Sequence, residues 1–137
     1  MSEAPSSGTI TAIVPCNDLD ASERFYNRLG FMRPDNERPA PGEDDSYRML
    51  ANGQGGHLHL IDAVKGWVIP GKNPFGLYLY TADVDTLAAA FADDIIEAEG
   101  ASDKPWGMYE FALSDPDGVL VRVGWPSALR GSSPRLS

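Results

Sequence analysis

Cysteine is nearly missing from this chain. Cys16 is the only one in 137 residues, so no disulfide can form within the chain. A reducing, cytoplasmic setting is expected. No sequence neighbour would activate its thiol, so Cys16 reads as an inert strand-end residue. Histidine is scarce as well, with His57 and His59 alone. Basic residues are outnumbered, 11 Lys and Arg against 20 Asp and Glu, for a formal net charge of −9. That balance argues against nucleic-acid binding, which needs clustered cations to neutralise phosphates. An acidic surface instead keeps a protein soluble or attracts cationic partners. No apolar run approaches the roughly 20 residues that span a bilayer. The opening MSEAPSSGTI has neither a basic start nor an apolar core, so no secretory signal and no membrane partner are expected. Gly-x-Ser-x-Gly, Walker and Gly-x-Gly-x-x-Gly motifs are also missing. A Glu110–Asp62 carboxylate pair for acid–base work has only composition behind it.

What is present is a repeat. Residues 13–26 read IVPCNDLDASERFY and residues 78–91 read YLYTADVDTLAAAF. Each is a β-rich run, an Asp-x-Asp pair and a helical pattern. The pairs are Asp18/Asp20 and Asp83/Asp85, an offset of 83 − 18 = 65 residues. An offset near half the chain points to two copies of one supersecondary module. In the first copy a strand is expected over about 9–15. A helix follows with Asp20 as N-cap and Glu23 as its capping-box partner, ending at Gly30. Phe31–Arg33 begins a short strand. Residues 34–45 form an acidic, proline-rich loop holding Asp35, Glu37, Glu43, Asp44 and Asp45. Strands at 46–51 and 57–63 flank an Asn52-Gly53 hairpin signal. In the second copy, a strand at 76–81 precedes a helix from Asp83 or Asp85 to about Glu99. Strands at 106–113 and 119–125 then flank an Asp115-Pro116-Asp117-Gly118 turn. The expected organisation is a disordered start over 1–8, modules over 9–64 and 76–126, a linker over 65–75 and a flexible tail over 127–137.

These residues carry a resemblance. The duplicated βαβββ order, NDLDASERFYNRLGF in the first half and PWGMYEFALSDPDGVLVRV near the end resemble the vicinal oxygen chelate superfamily. Its members include glyoxalase I, extradiol dioxygenases and fosfomycin- and bleomycin-resistance proteins. The bleomycin-resistance proteins are the most similar, through Pro105 to Pro116 and the Ala63-Val64 and Val68–Pro70 linker. The resemblance implies an α+β fold in which two βαβββ modules form a curved, incomplete β-barrel around a cleft. It also implies a homodimer with clefts at the subunit interface. In the superfamily's enzymes, four His or Glu positions hold a divalent metal. Here those positions fall at or near Thr11, His59, Gly76 and Arg122. Only His59 is a metal donor, and Arg122 is a permanent cation where a carboxylate would be needed. No cofactor is therefore expected. The alternative is a metal-dependent lyase or dioxygenase working through His57 and His59.

Strand alternation puts His57, His59 and Ile61 on one face, Gly76, Tyr78 and Tyr80 on another, and Leu120 and Gly124 with Arg122. Aromatic rings there, with Trp67 and Trp106 near loops, offer stacking surfaces for a planar, partly cationic small molecule. The resemblance implies the same use, aromatic side chains holding a drug's flat tail. Trp106 lies within the shared motif, while Tyr47 and Trp67 are carried over outside it. The expected ligand-binding set is Trp106, His59, Tyr47, Trp67, Tyr78, Tyr80, Arg122 and Asp45, the last as part of a negative rim. The expected function is non-catalytic binding and sequestration of a bleomycin-like antibiotic.

Overall fold

The computed structural model describes residues 5–34 and 38–131. The acids Asp35 and Glu37 of the expected loop, and the ends of the expected disordered start and tail, lie outside the described residues. The chain divides into two compact units, Met1–Lys72 and Asn73–Ser137.

The first unit builds a three-stranded sheet from β1 (Ala12–Cys16), β2 (Tyr47–Ala51) and β3 (His57–Asp62). Its order is β1-β3-β2, with β1 parallel and β2 antiparallel to β3. Helix α1 (Leu19–Arg28) joins β1 to the rest and covers one face. Leu19, Tyr26 and Leu29 from the helix segment meet Val14, Leu50, Leu58 and Leu60 in a buried core. At about 25 cal/mol for each Å² of apolar surface removed from water, such contacts dominate the unit's stability. The strand expected at Phe31–Arg33 is reduced to one bridge, Met32 to Ala51.

The helix begins two residues earlier than the capping-box pattern suggests. Asp18 is the N-cap, and its Oδ1 accepts from the Ala21 amide at 3.1 Å. Asp20 and Glu23 have other partners. Asp20 accepts from Arg48 Nη1 at 2.8 Å. Glu23 is buried and takes Arg48 Nη1 at 2.8 Å and Arg33 Nε at 3.0 Å. A carboxylate able to pair with two buried guanidiniums gains more than one satisfying a cap.

The second unit repeats the plan with β4 (Gly76–Tyr80), α2 (Val84–Ala90), β5 (Ser102–Asp103), β6 (Met108–Ser114) and β7 (Leu120–Pro126). The sheet order is β4-β7-β6-β5, again with the first and last strands parallel. Val84 and Phe91 from the helix segment join Phe111, Leu113, Val121 and Val123 in the core. Helix α2 stops nine residues short of the expected Glu99, at Ala90. Asp93 and Asp94 would stand at a helix C-terminus, where negative charge is unfavourable. The chain turns instead, and Ile96 donates its amide to Ala112 of β6 at 2.9 Å. Glu97 then accepts from the Ala112 amide at 2.9 Å.

The β6–β7 connection is the tight turn expected from Asp-Pro-Asp-Gly. Asp115 Oδ1 accepts from the amides of Asp117 at 2.8 Å and Val119 at 2.9 Å. Gly118 has φ +82°, a conformation that glycine adopts without a side-chain penalty. The segment after β7, expected to be flexible, makes a 3-10 turn at Ser127–Leu129. Ser127 bonds Asp103 at 2.7 Å, and Arg130 stacks on the Tyr109 ring. Among the described residues no helix is long and apolar enough to cross a membrane.

Candidate functional site

Each sheet has one face under its helix and one open face, and alternation decides which side chains stand on which. On β2 and β3, Tyr47 is paired with Ile61, Met49 with His59 and Ala51 with His57. These side chains share the open face of the first sheet with Ile13 and Pro15 of β1. The Tyr47 hydroxyl lies 2.8 Å from His59 Nδ1, and the two rings meet edge to face with centroids 5.3 Å apart. Burial lowers the His59 pKa below its usual value, and the neighbouring charge of His57 lowers it further. The ring is therefore neutral at pH 7, a hydrogen-bonding group rather than a cation.

The open face of the second sheet is different in kind. Tyr78 is paired with Arg122, Tyr80 with Gly124, and Glu110 with Gly124 from the other side. Glu110 is completely buried, and three donors converge on it. Tyr78 donates its hydroxyl to Oε1 at 2.8 Å, Trp106 donates Nε1–H to Oε1 at 3.2 Å, and Arg122 Nη1 bonds Oε2 at 2.7 Å. Burial alone would raise the Glu110 pKa. The bonds from Tyr78, Trp106 and Arg122 outweigh it and hold the carboxyl below its ordinary value. Tyr78 shifts the other way, driven up first by burial and then by the Glu110 bond and charge.

Gly124 makes this arrangement possible. A Cβ there would collide with the Tyr78 hydroxyl and stand 2.8 Å from Glu110 Cβ. Absence of a side chain lets the tyrosine lie across the strand and reach the carboxylate. Above this floor, Tyr78 and Tyr80 have ring centroids 4.7 Å apart. The Arg122 guanidinium carbon sits 5.9 Å from the Trp106 ring centroid. Tyr80 and Trp106 are 61% and 60% exposed, large aromatic surfaces left open.

The eight expected site residues thus fall into separate groups. Tyr47 and His59 are together in the first unit. Tyr78, Tyr80, Trp106 and Arg122 are together in the second. Trp67 lies in the loop after β3 and is 79% exposed. Asp45 is placed elsewhere. Its carboxylate accepts from Arg33 at 2.6 Å and pairs with Arg48 at 3.3 Å, on the helix side of the first sheet. The Asp45 carboxylate is thus held by two buried guanidiniums. It lines an open cavity of about 590 Å³ with Asp18, Asp20, Asp44 and Arg48. The residue that sequence reading undervalued is Glu110. Its spacing of 12 residues from Arg122 across a hairpin turn was the available signal.

The donor set does not fit a divalent metal. His57 and His59 share a face, but Arg122 and Gly76 offer no metal donor, and Glu110 is already held by three hydrogen-bond donors. Among the described residues no group of three His, Cys, Asp or Glu could hold a metal ion. A divalent site normally takes three or four protein donors.

Comparison with known proteins places this geometry in context. A family model described as the Glyoxalase/Bleomycin resistance protein/Dioxygenase superfamily matches residues 9–123. No curated protein sequence matches the chain. Among solved structures, a bleomycin-binding protein complexed with bleomycin is 25% identical, with a TM-score of 0.64 over 87% of this chain and 98% of that one. TnmS3, an antibiotic-binding protein from a Streptomyces species, is 26% identical, with a TM-score of 0.63 over 91% of this chain and 100% of that one. A lactoylglutathione lyase from Agrobacterium tumefaciens is 26% identical, with a TM-score of 0.60 over 93% of this chain and 99% of that one.

Proposed function

The chain belongs to the glyoxalase/bleomycin resistance/dioxygenase superfamily, and we propose that within it this protein binds and sequesters a small-molecule antibiotic, breaking no bond. One observation carries the reading. At Arg122, where the superfamily's enzymes would need a metal-binding carboxylate, the second sheet holds an Arg122–Glu110 ion pair among Tyr78, Tyr80 and Trp106. Aromatic surface with a few fixed polar groups is the usual composition of a small-molecule site. Two of the similar structures are described as binding bleomycin or an antibiotic, which supports the same reading. The proposed assembly is a cytoplasmic homodimer.

Likeness to a lactoylglutathione lyase favours one competing reading, a metal-dependent enzyme acting through His57 and His59. Calorimetry and metal analysis separate the two. Titrating a panel of flat, ring-bearing antibiotics, bleomycin included, is expected to give saturable heat that Trp106→Ala weakens about tenfold or more. No heat from any compound at high micromolar concentration would overturn the proposal. Stoichiometric metal in the purified protein, lost on His59→Ala, would replace it with the enzyme reading.

A further inference from the structure

A carboxylate lies at the centre of the second sheet's open face, yet the charge a ligand meets there is positive. Glu110 is 0% exposed, whereas the side chain of Arg122 is 38% exposed. The Glu110 charge is enclosed by Tyr78, Trp106 and Arg122. Among the described residues, Nη1 to Glu110 is the only hydrogen bond of the Arg122 guanidinium. A guanidinium carries five N–H donors in a planar fork, so most of the fork is uncommitted. It is also held in place, by Glu110 on one edge and by the Trp106 ring beside it. Preorganisation of this kind lowers the ordering cost of making a bidentate contact.

We infer that Arg122, oriented by the buried Glu110, receives a carboxylate on a flat aromatic ligand whose ring lies against Tyr80 and Trp106. The inference rests on the binding reading above and names a ligand class within it, aromatic acids rather than aromatic cations. A carboxylate would meet the free edge of the fork and accept two parallel bonds. A cationic ligand would meet like charge, because the nearby countercharge is sealed and already shared by three donors. The overall charge of −9 does not reverse this preference at contact. At physiological salt its field is screened within about 8 Å, so it acts on encounter more than on the bound state.

Two probes of one shape test the inference, 2-naphthoate and 2-naphthylmethylammonium. Each is titrated into the full chain while NMR follows the Trp106 Nε1–H and Arg122 Nε–H signals. Naphthoate is expected to shift both and to bind about tenfold more tightly than the ammonium, the scale of one charge-assisted contact. Substituting Arg122→Met together with Glu110→Gln removes the pair without leaving a buried charge behind. It is expected to abolish the preference. Arg122→Lys keeps the charge but loses the fork, and is expected to reduce the preference in a chain that folds even if the double variant does not. Tighter or equal binding of the ammonium would overturn the inference, as would a preference that survives these substitutions. In those cases a flat ligand still docks, and the binding reading stands. Absence of any Trp106 shift at millimolar probe also overturns it, and leaves the wider reading to the antibiotic titrations.

Discussion

The two units share a topology and place their buried charges on opposite sides of it. In the first, Glu23, Arg33 and Arg48 are buried beneath the helix, and the open face carries the uncharged pair Tyr47 and His59. In the second, the buried core on the helix side is apolar, with Phe111, Leu113, Val121 and Val123, and the ion pair Glu110–Arg122 is on the open face. The difference separates what the charges do. Ions under a helix lock that helix to its sheet. On the open face Glu110 is enclosed by its neighbours, while the Arg122 it holds remains exposed. On the binding reading proposed above, the first group contributes to folding and the second to recognition.

The same chemical change made at both sites puts this contrast under its greatest load. Glu23→Gln removes a charge shared by two arginines whose side chains are only 6% and 9% exposed. Both guanidiniums are largely enclosed, so the loss is expected to be about 3 kcal/mol. Glu110→Gln leaves a guanidinium that is 38% exposed and able to turn toward solvent. The replacement amide also keeps an oxygen for Tyr78 and Trp106, so the expected loss is about 1 kcal/mol. Chemical denaturation of the two variants provides the measurement. Equal losses, or a larger one at position 110, would break the distinction between a folding cluster and a recognition pair.

A glycine sharpens the comparison further. Gly124→Ala puts a methyl against the Tyr78 hydroxyl and Glu110 Cβ. Overpacking of this kind costs about 2 kcal/mol. Its more telling effect is on the open face, where Tyr78 must give up Glu110. The Tyr78 hydroxyl titrates above its usual value, through burial first and then the Glu110 bond. Gly124→Ala is expected to bring that titration back down, followed by ultraviolet absorbance as pH rises. An unmoved tyrosine titration would mean that Glu110 does not hold the ring.

Much of this was legible in the sequence, and the illegible part has a physical pattern. The repeat was legible in the paired Asp-x-Asp runs, and the side chains sharing a strand face followed from period-2 alternation. What failed was the assignment of acids. Asp20 and Glu23 both read as local features, a cap and its capping-box partner. Each is instead taken by Arg33 or Arg48, between 10 and 28 residues away. Propensity sees neighbours along the chain, and a long-range guanidinium outcompetes them. Helix α2 was overextended for a related reason, since the tertiary bond from Ile96 to Ala112 competes with continued helix. Glu110 was recognised as an acid but not as the centre of a site, because burial is not written in its neighbours.

The smallest effect concerns pH, and it distinguishes the two open faces under mild conditions. His59 titrates below the ordinary histidine value of 6.5, through burial first and the His57 charge second. A base whose folded pKa is depressed favours the fold when neutral. Its contribution is therefore complete above about 6.5 and falls away as pH drops, because the unfolded chain takes up the proton first. Glu110 behaves oppositely in kind. Its folded pKa lies below 4.5, so its contribution is present above that value and is lost only as pH falls through the folded pKa. Between neutrality and mild acid, then, charge changes on the first face while the second keeps its ion pair. An NMR titration of the two histidines reads this directly. His59 is expected to have a midpoint below 6.5, and His57→Ala is expected to raise it by removing the neighbouring charge. A midpoint at or above 6.5 would overturn the burial effect at His59, and one indifferent to His57 would remove that charge as its second cause.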